Sequence, residues 1–143
     1  MYELAITAIL TALFFDFING FHDAANSIAT VVGTRILKPL QAVSLAAAAN
    51  FVGPFLFGVA VATTVGKGII NPDFVTIHII IGALIGAIIW NLVTWIWGFP
   101  SSSSHALIGG IIGSGIAGVG TNAIIFGGLE KVIVGIIVSP VVG

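Results

Sequence analysis

Between Val75 and Gly98 the chain reads VTIHIIIGALIGAIIWNLVTWIWG, a run without a single Asp, Glu, Lys or Arg. About 20 consecutive apolar residues are enough to cross the hydrocarbon core of a bilayer as a helix, so this segment is first of all a spanning helix. Its neighbours are of the same kind. Residues 4–15 (LAITAILTALFF) and 40–66 (LQAVSLAAAANFVGPFLFGVAVATTVG) are apolar and helix-permissive; the second contains Asn50 and a Gly53-Pro54 pair expected to kink it or free backbone carbonyls. Composition agrees, with 58% hydrophobic and 6% charged residues, where a soluble domain carries roughly 25% charged residues. The expected fold class is all-α: polytopic transmembrane helices with broken or re-entrant half-helices, residues 1–143 forming a single transmembrane domain.

The same arithmetic removes other classes. The 4 basic residues are scattered, so no Lys/Arg stripe exists to neutralise nucleic-acid phosphates. With 0 cysteines there is no disulfide framework, thiolate metal site or thiol nucleophile. The first residues carry Glu3 and no basic n-region, which argues against a cleaved signal peptide and for a native start. After Glu130-Lys131 the sequence turns apolar again and stops at Gly143, too soon to cross a bilayer, so a truncated chain is expected. Arg35 and Lys38 outnumber Lys67, and the positive-inside bias places the 35–38 loop in the cytoplasm.

Two polar clusters interrupt the apolar runs. In the first, Phe17-Ile18-Asn19-Gly20-Phe21-His22-Asp23-Ala24-Ala25-Asn26-Ser27, the residues Asp16, Asn19, Asp23 and Asn26 recur at spacings of three and four, one stripe of a helix. A carboxylate in hydrocarbon is costly on every scale, which makes Asp23 a functional residue by default. Asp23 and Asn26, with carbonyls released by a helix break at Gly20, form a set of hard oxygen ligands for a small metal cation such as Na⁺; alternatively Asp23 is a titratable acid for H⁺. The plainer reading is a polar cluster that hydrogen-bonds neighbouring helices. Asp16 either shares the site at one turn's remove or lies near the interface. His22 points off the stripe on a regular helix; inside the site it can carry a proton near neutral pH.

The second cluster is Gly98-Phe99-Pro100-Ser101-Ser102-Ser103-Ser104-His105-Ala106. Proline followed by serines, ahead of an apolar Gly-rich run, reads as a helix N-terminus whose orphan N–H groups and hydroxyls face one point. Such a terminus is a phosphate-sized anion cradle; the alternative is a solvated serine loop with one capping residue. His105 either orients that loop or touches substrate. Residues 106–120, with Gly109, Gly113 and Ala117 four apart, are short for a crossing and suit a half-helix. Gly82 and Gly86 give a small-xxx-small face for close approach of another helix, a homo-oligomeric contact included. His78 reads as an interfacial histidine, and Asn50, Asn91 and Thr94 read as interhelical hydrogen-bonding groups, the alternative being that they line a pathway. Residues 121–128 read as a loop, and Glu130 and Lys131 as solvated loop charges.

The segments NGFHDAANSIAT and GFPSSSSHALIGG, in this order with IIWNLVTWIWG between them, resemble the paired signatures of the inorganic phosphate transporter (Pit) family of secondary transporters. The resemblance implies two inverted repeats, each bringing one copy of the motifs, with phosphate and a coupling cation between them; this chain matches the N-terminal repeat. It further implies that Asp23 and Asn26 are coupling-cation ligands and that Ser102, Ser103 and Ser104 face phosphate, beside Ser101. His22 stands where many sodium-coupled members have Asn, so the chain looks more like the bacterial branch, which resembles proton-coupled, metal-phosphate symporters. The expected function is symport of inorganic phosphate, free or as a metal complex, driven by H⁺ or Na⁺, without a cofactor. The expected place is a prokaryotic plasma membrane, with a second repeat and lipid as partners. Two rivals stand beside it. One is an intramembrane hydrolase using Asp16 with Asp23, or a serine with His105, although the sequence contexts such enzymes resemble are missing. The other is a channel or structural membrane subunit.

Overall fold

The computed structural model describes residues 2–57 and 68–142. The end of the second apolar run, from residue 58 on and with it Lys67, lies outside the described residues. The first helix, α1 (Tyr2–Gly33), is a single element of 32 residues. At ~1.5 Å per residue it extends roughly 48 Å, more than a hydrocarbon core of ~30 Å, so it tilts or projects beyond the bilayer. The hydroxyls of Thr7 and Thr11 donate to the carbonyls of Glu3 and Thr7 at 2.8 and 2.7 Å, which hides both polar groups within the helix itself. Gly20 does not break α1. It sits mid-helix in open space, and a lone glycine costs only ~1 kcal/mol relative to alanine, too little to interrupt a long apolar helix. The break expected at Gly20, and with it the released carbonyls, is therefore corrected.

Beyond Gly33 the chain turns at Arg35, whose φ of 61° is left-handed, and the Ile36 N–H donates back to the Val31 carbonyl at 3.1 Å. Pro39 then opens α2 (Pro39–Phe57), at a position where its missing N–H is no loss, and Gln41 Oε1 accepts from the Lys38 N–H at 3.1 Å. Pro54 lies inside this helix, which continues through it to Phe57. α2 packs back along α1.

Residues 69–71 pair with residues 123–125. An isolated antiparallel bridge joins Ile70 to Ile124, flanked by Asn71 N–H to Ala123 O and Ile125 N–H to Ile69 O, each 2.9 Å. Ile69, Ile70, Ile79, Ala123 and Ile124 are buried around it. Thr76 then caps α3 (Ile77–Trp97), its hydroxyl accepting from the Ile79 N–H at 3.4 Å. Ile79, Ala83, Leu84, Ala87, Ile88, Asn91 and Thr94 form its buried stripe, the spacing of three and four that a single packed helix face requires. Gly98 ends α3 in the left-handed conformation at φ 69°, and the Phe99 N–H reaches the Thr94 carbonyl at 2.8 Å.

The chain then folds back as α4 (Ser103–Val119), antiparallel to α3. Gly110 lies directly against the backbone of Ala83; Gly82 faces Ser114 Cβ and Gly118 faces the Ile79 side chain, so that an added Cβ would come within 3.3 and 3.2 Å of them. The small face of Gly82 and Gly86 thus meets α4 of the same chain. α4 has 17 residues, roughly 25 Å, short of a full crossing as the sequence implies. A short turn, Thr121–Ala123, leads to α5 (Phe126–Val142). Glu130 and Lys131 are therefore exposed positions on a helix and not loop residues as expected. Among the described residues, α1, α2 and α3 are long and apolar enough to span a membrane, and the expected all-α membrane architecture holds.

The contact at Gly110 has a built-in control, because Gly109 and Gly113 on the same helix have nothing within 4 Å of an added Cβ. Gly110→Ala should lower stability by about 1–3 kcal/mol through overpacking, whereas Gly109→Ala should be neutral or slightly stabilising. Thermal unfolding of the purified protein in detergent measures both.

Candidate functional site

The four consecutive serines divide the work at the start of α4. Ser102 is the N-cap: its backbone is extended and its Oγ accepts from the His105 N–H at 3.4 Å. Ser101 Oγ accepts from Trp90 Nε1 at 3.2 Å, which ties the approach to the helix onto α3. Ser103, the first helical residue, is only 2% exposed, and its Oγ has no hydrogen-bond partner among the described residues. Ser104 and His105 face outward, with His105 beside Trp90 on the open groove between α3 and α4. The four hydroxyls therefore do not all point to one place; Ser103 is the one directed into the protein, because it shares the inner face of α4 with Ala106, one turn on.

What lies opposite Ser103 follows from the helix register. Phe15 of α1, Ala87 of α3 and Ala106 of α4 belong to one buried cluster. One turn further toward the C-terminus of α3 and the N-terminus of α4 lie Asn91 and Ser103. The Trp90–Ser101 hydrogen bond fixes these turns at the same height. Asn91 is 0% exposed, and neither Nδ2 nor Oδ1 has a partner among the described residues. Two polar side chains thus stand buried and, among the described residues, unsatisfied near the N-terminus of α4. Sequence reasoning read Asn91 first as an interhelical group and second as a residue lining a pathway. The signal that distinguishes it is its phase, since it continues the Ala83–Ala87 stripe that packs inward.

α1 runs parallel to α3, with Phe15 in the Ala87 cluster and the Phe21 ring edge-on to Trp95 at 4.9 Å. The half-buried Asn19 comes level with Asn91, and His22 and Asp23 follow one turn beyond. Their placement reverses part of the expectation. The His22 side chain is 7% exposed and turned inward, whereas Asp23 is 45% exposed, and the two meet at 3.2 Å between Nδ1 and Oδ1. Asp16 and Asn26 lie on the open side of α1. The unbroken helix keeps Asp16, Asn19, Asp23 and Asn26 along one flank but contributes no loosened carbonyls to a cation site.

The pattern of the phosphate transporter family matches residues 19–143. The chain belongs to this family. Its members are transporters and not enzymes, which leaves the hydrolase alternative without support. A probable low-affinity inorganic phosphate transporter of Rhizobium meliloti is 54% identical over 142 residues, covering 99% of this chain and 42% of the relative. One of the same description from Bacillus subtilis is 50% identical, covering 97% of this chain and again 42% of the relative. A solved structure, described as the sodium-dependent phosphate transporter, superposes with a TM-score of 0.86 at 35% identity, covering 98% of this chain and 36% of that one. The chain thus spans about two fifths of these family members, and with its apolar helices it is an integral membrane protein.

The N-cap can be tested without transport. Ser102→Ala should destabilise the protein by about 1 kcal/mol, while Ser102→Asn, which keeps an accepting oxygen, should cost little; the unfolding temperature in detergent distinguishes them.

Proposed function

We propose that this chain is one half of a symporter that carries inorganic phosphate together with a cation across a prokaryotic plasma membrane. The observation that carries the reading is the start of α4, where the N-terminus of the helix and the unpartnered Ser103 hydroxyl meet the core at a level shared with Asn91. A helix N-terminus holds an anion by its donors and its dipole without a buried lysine or arginine. Of the serines 101–104, Ser103 is the one whose hydroxyl is turned inward and free to contact phosphate; Ser101 and Ser102 hold the helix start in place through Trp90 and the His105 N–H, and Ser104 faces outward.

An anion entering a low-dielectric site alone suffers a large desolvation penalty. A cation on Asp23, with Asn26 and the neighbouring His22, reduces the net charge transferred, so that each ligand strengthens binding of the other. Coupling is then electrostatic and reciprocal. Asp16, Asp23 and Asn26 lie on a flank of α1 that the described residues leave open, and carboxylates at membrane depth require protein or water around them. This supports a second repeat with matching motifs that closes over the flank and completes the site.

Two cations fit. The sodium dependence of the solved relative favours Na⁺, while the His22–Asp23 contact at 3.2 Å supplies a proton-binding pair and favours H⁺. In the full reading frame reconstituted into proteoliposomes, Asp23→Asn should abolish cation-driven uptake of radiolabelled phosphate; uptake that survives intact refutes the assignment. A Na⁺ gradient at constant pH, set against a pH gradient without Na⁺, identifies the ion. His22→Asn should remove proton-driven uptake alone. Repeating the assay with a divalent-metal chelator separates free phosphate from its metal complex, and unsaturable, gradient-independent flux would mark a channel.

A further inference from the structure

The carboxamide of Asn91 poses a chemical requirement that serines alone do not. Both of its polar atoms are buried and, among the described residues, unpartnered, so an occupant that satisfies the side chain must accept a hydrogen bond from Nδ2 and also donate one to Oδ1. Leaving either atom bare in the core carries the full penalty of an unmade hydrogen bond. Inorganic phosphate meets both demands near neutral pH, because it carries deprotonated oxygens and at least one P–OH. Arsenate does the same. Sulfate, fully deprotonated at that pH, can accept from Nδ2 but has no proton to offer Oδ1.

Asn91 also stands in the right place. It lies one turn beyond Ala87 on the packed stripe of α3, Ser103 lies one turn before Ala106 on α4, and Ala87 and Ala106 share a core cluster. The Ser103 hydroxyl is the other buried side-chain group without a partner among the described residues. We infer that Asn91 is the specificity-determining residue of the anion site, its Oδ1 accepting the P–OH proton and its Nδ2 donating to a phosphate oxygen, so that protonated oxyanions are chosen over sulfate. The inference rests on the phosphate-symport reading above and adds to it a donor–acceptor test that the anion must pass. A hydroxyl-only cradle at a helix N-terminus offers donors to any tetrahedral anion; the amide oxygen is what makes the acidic proton count.

The experiment compares three forms of the full-length protein in proteoliposomes: wild type, Asn91→Leu and Asn91→Asp. It measures the KM for phosphate and the inhibition constants of arsenate and sulfate, with unfolding temperature recorded in parallel. Asn91→Leu replaces two unsatisfied polar atoms by an apolar group of similar size, so stability should be held or raised. Phosphate KM should rise roughly 5- to 150-fold, and the preference for phosphate over sulfate should narrow by a similar factor. Asn91→Asp keeps an acceptor for P–OH but loses the donor and adds negative charge. It should weaken both anions while preserving the preference, and it carries the test alone if the leucine variant does not fold. Asn91→Leu with unchanged KM and unchanged preference, or Asn91→Asp with the preference erased, overturns the inference and leaves the carboxamide to a trapped water. A wild type that takes up no phosphate overturns the symport reading itself, and is distinguishable because it fails before either variant is compared.

Discussion

The site depends on how closely two backbones approach. At Gly110 the α4 main chain rests against the backbone of Ala83, leaving no room for a Cβ. In a membrane, where lipid is as apolar as leucine, helices associate through tight packing of this kind rather than by exclusion from water. Contact at this point sets the height of α4 along α3. That height brings Ser103 level with Asn91 and lets Trp90 reach Ser101. A helix shifted by even one turn would present its dipole to an apolar layer.

The hydroxyls elsewhere in the bundle show how unusual Asn91 and Ser103 are. Thr7, Thr11, Ser27, Thr94 and Ser114 each donate to a carbonyl three or four residues earlier on their own helix, and Thr34, just past the end of α1, reaches back to Thr30 in the same way. Such bonds make a short polar side chain almost invisible to its surroundings. A carboxamide at the same depth has two groups to satisfy. At Asn91 neither has a partner among the described residues, and a buried polar group left so in a packed core calls for an explanation.

Much of this was legible in the sequence, for identifiable reasons. The uncharged run before Gly98, the Pro-Ser start of α4 and the small face at Gly82 and Gly86 are local patterns whose meaning does not depend on distant residues. The legible part failed where tertiary context decides. Gly20 reads as a break only if nothing outweighs its ~1 kcal/mol, and a 32-residue helix does outweigh it. The unbroken helix then fixes the direction of every side chain after it, so His22 turns inward and Asp23 stays on the open flank. The burial of Asn91 is not legible, because an asparagine in an apolar run looks the same in a string whether it faces lipid, a neighbour or the core. Glu130 and Lys131 suggested a loop by their charge, although two exposed charges are easily carried on the polar rim of α5.

The turn at Gly98 has a mechanical consequence. The left-handed cap and the Trp90–Ser101 tether join α3 and α4 across a very short connection, and the glycine contacts lock their flanks. The pair is thereby a stiff unit with the start of α4 at its tip. Any displacement of α1 against it would be taken up at softer joints, such as the aromatic edge contact between Phe21 and Trp95.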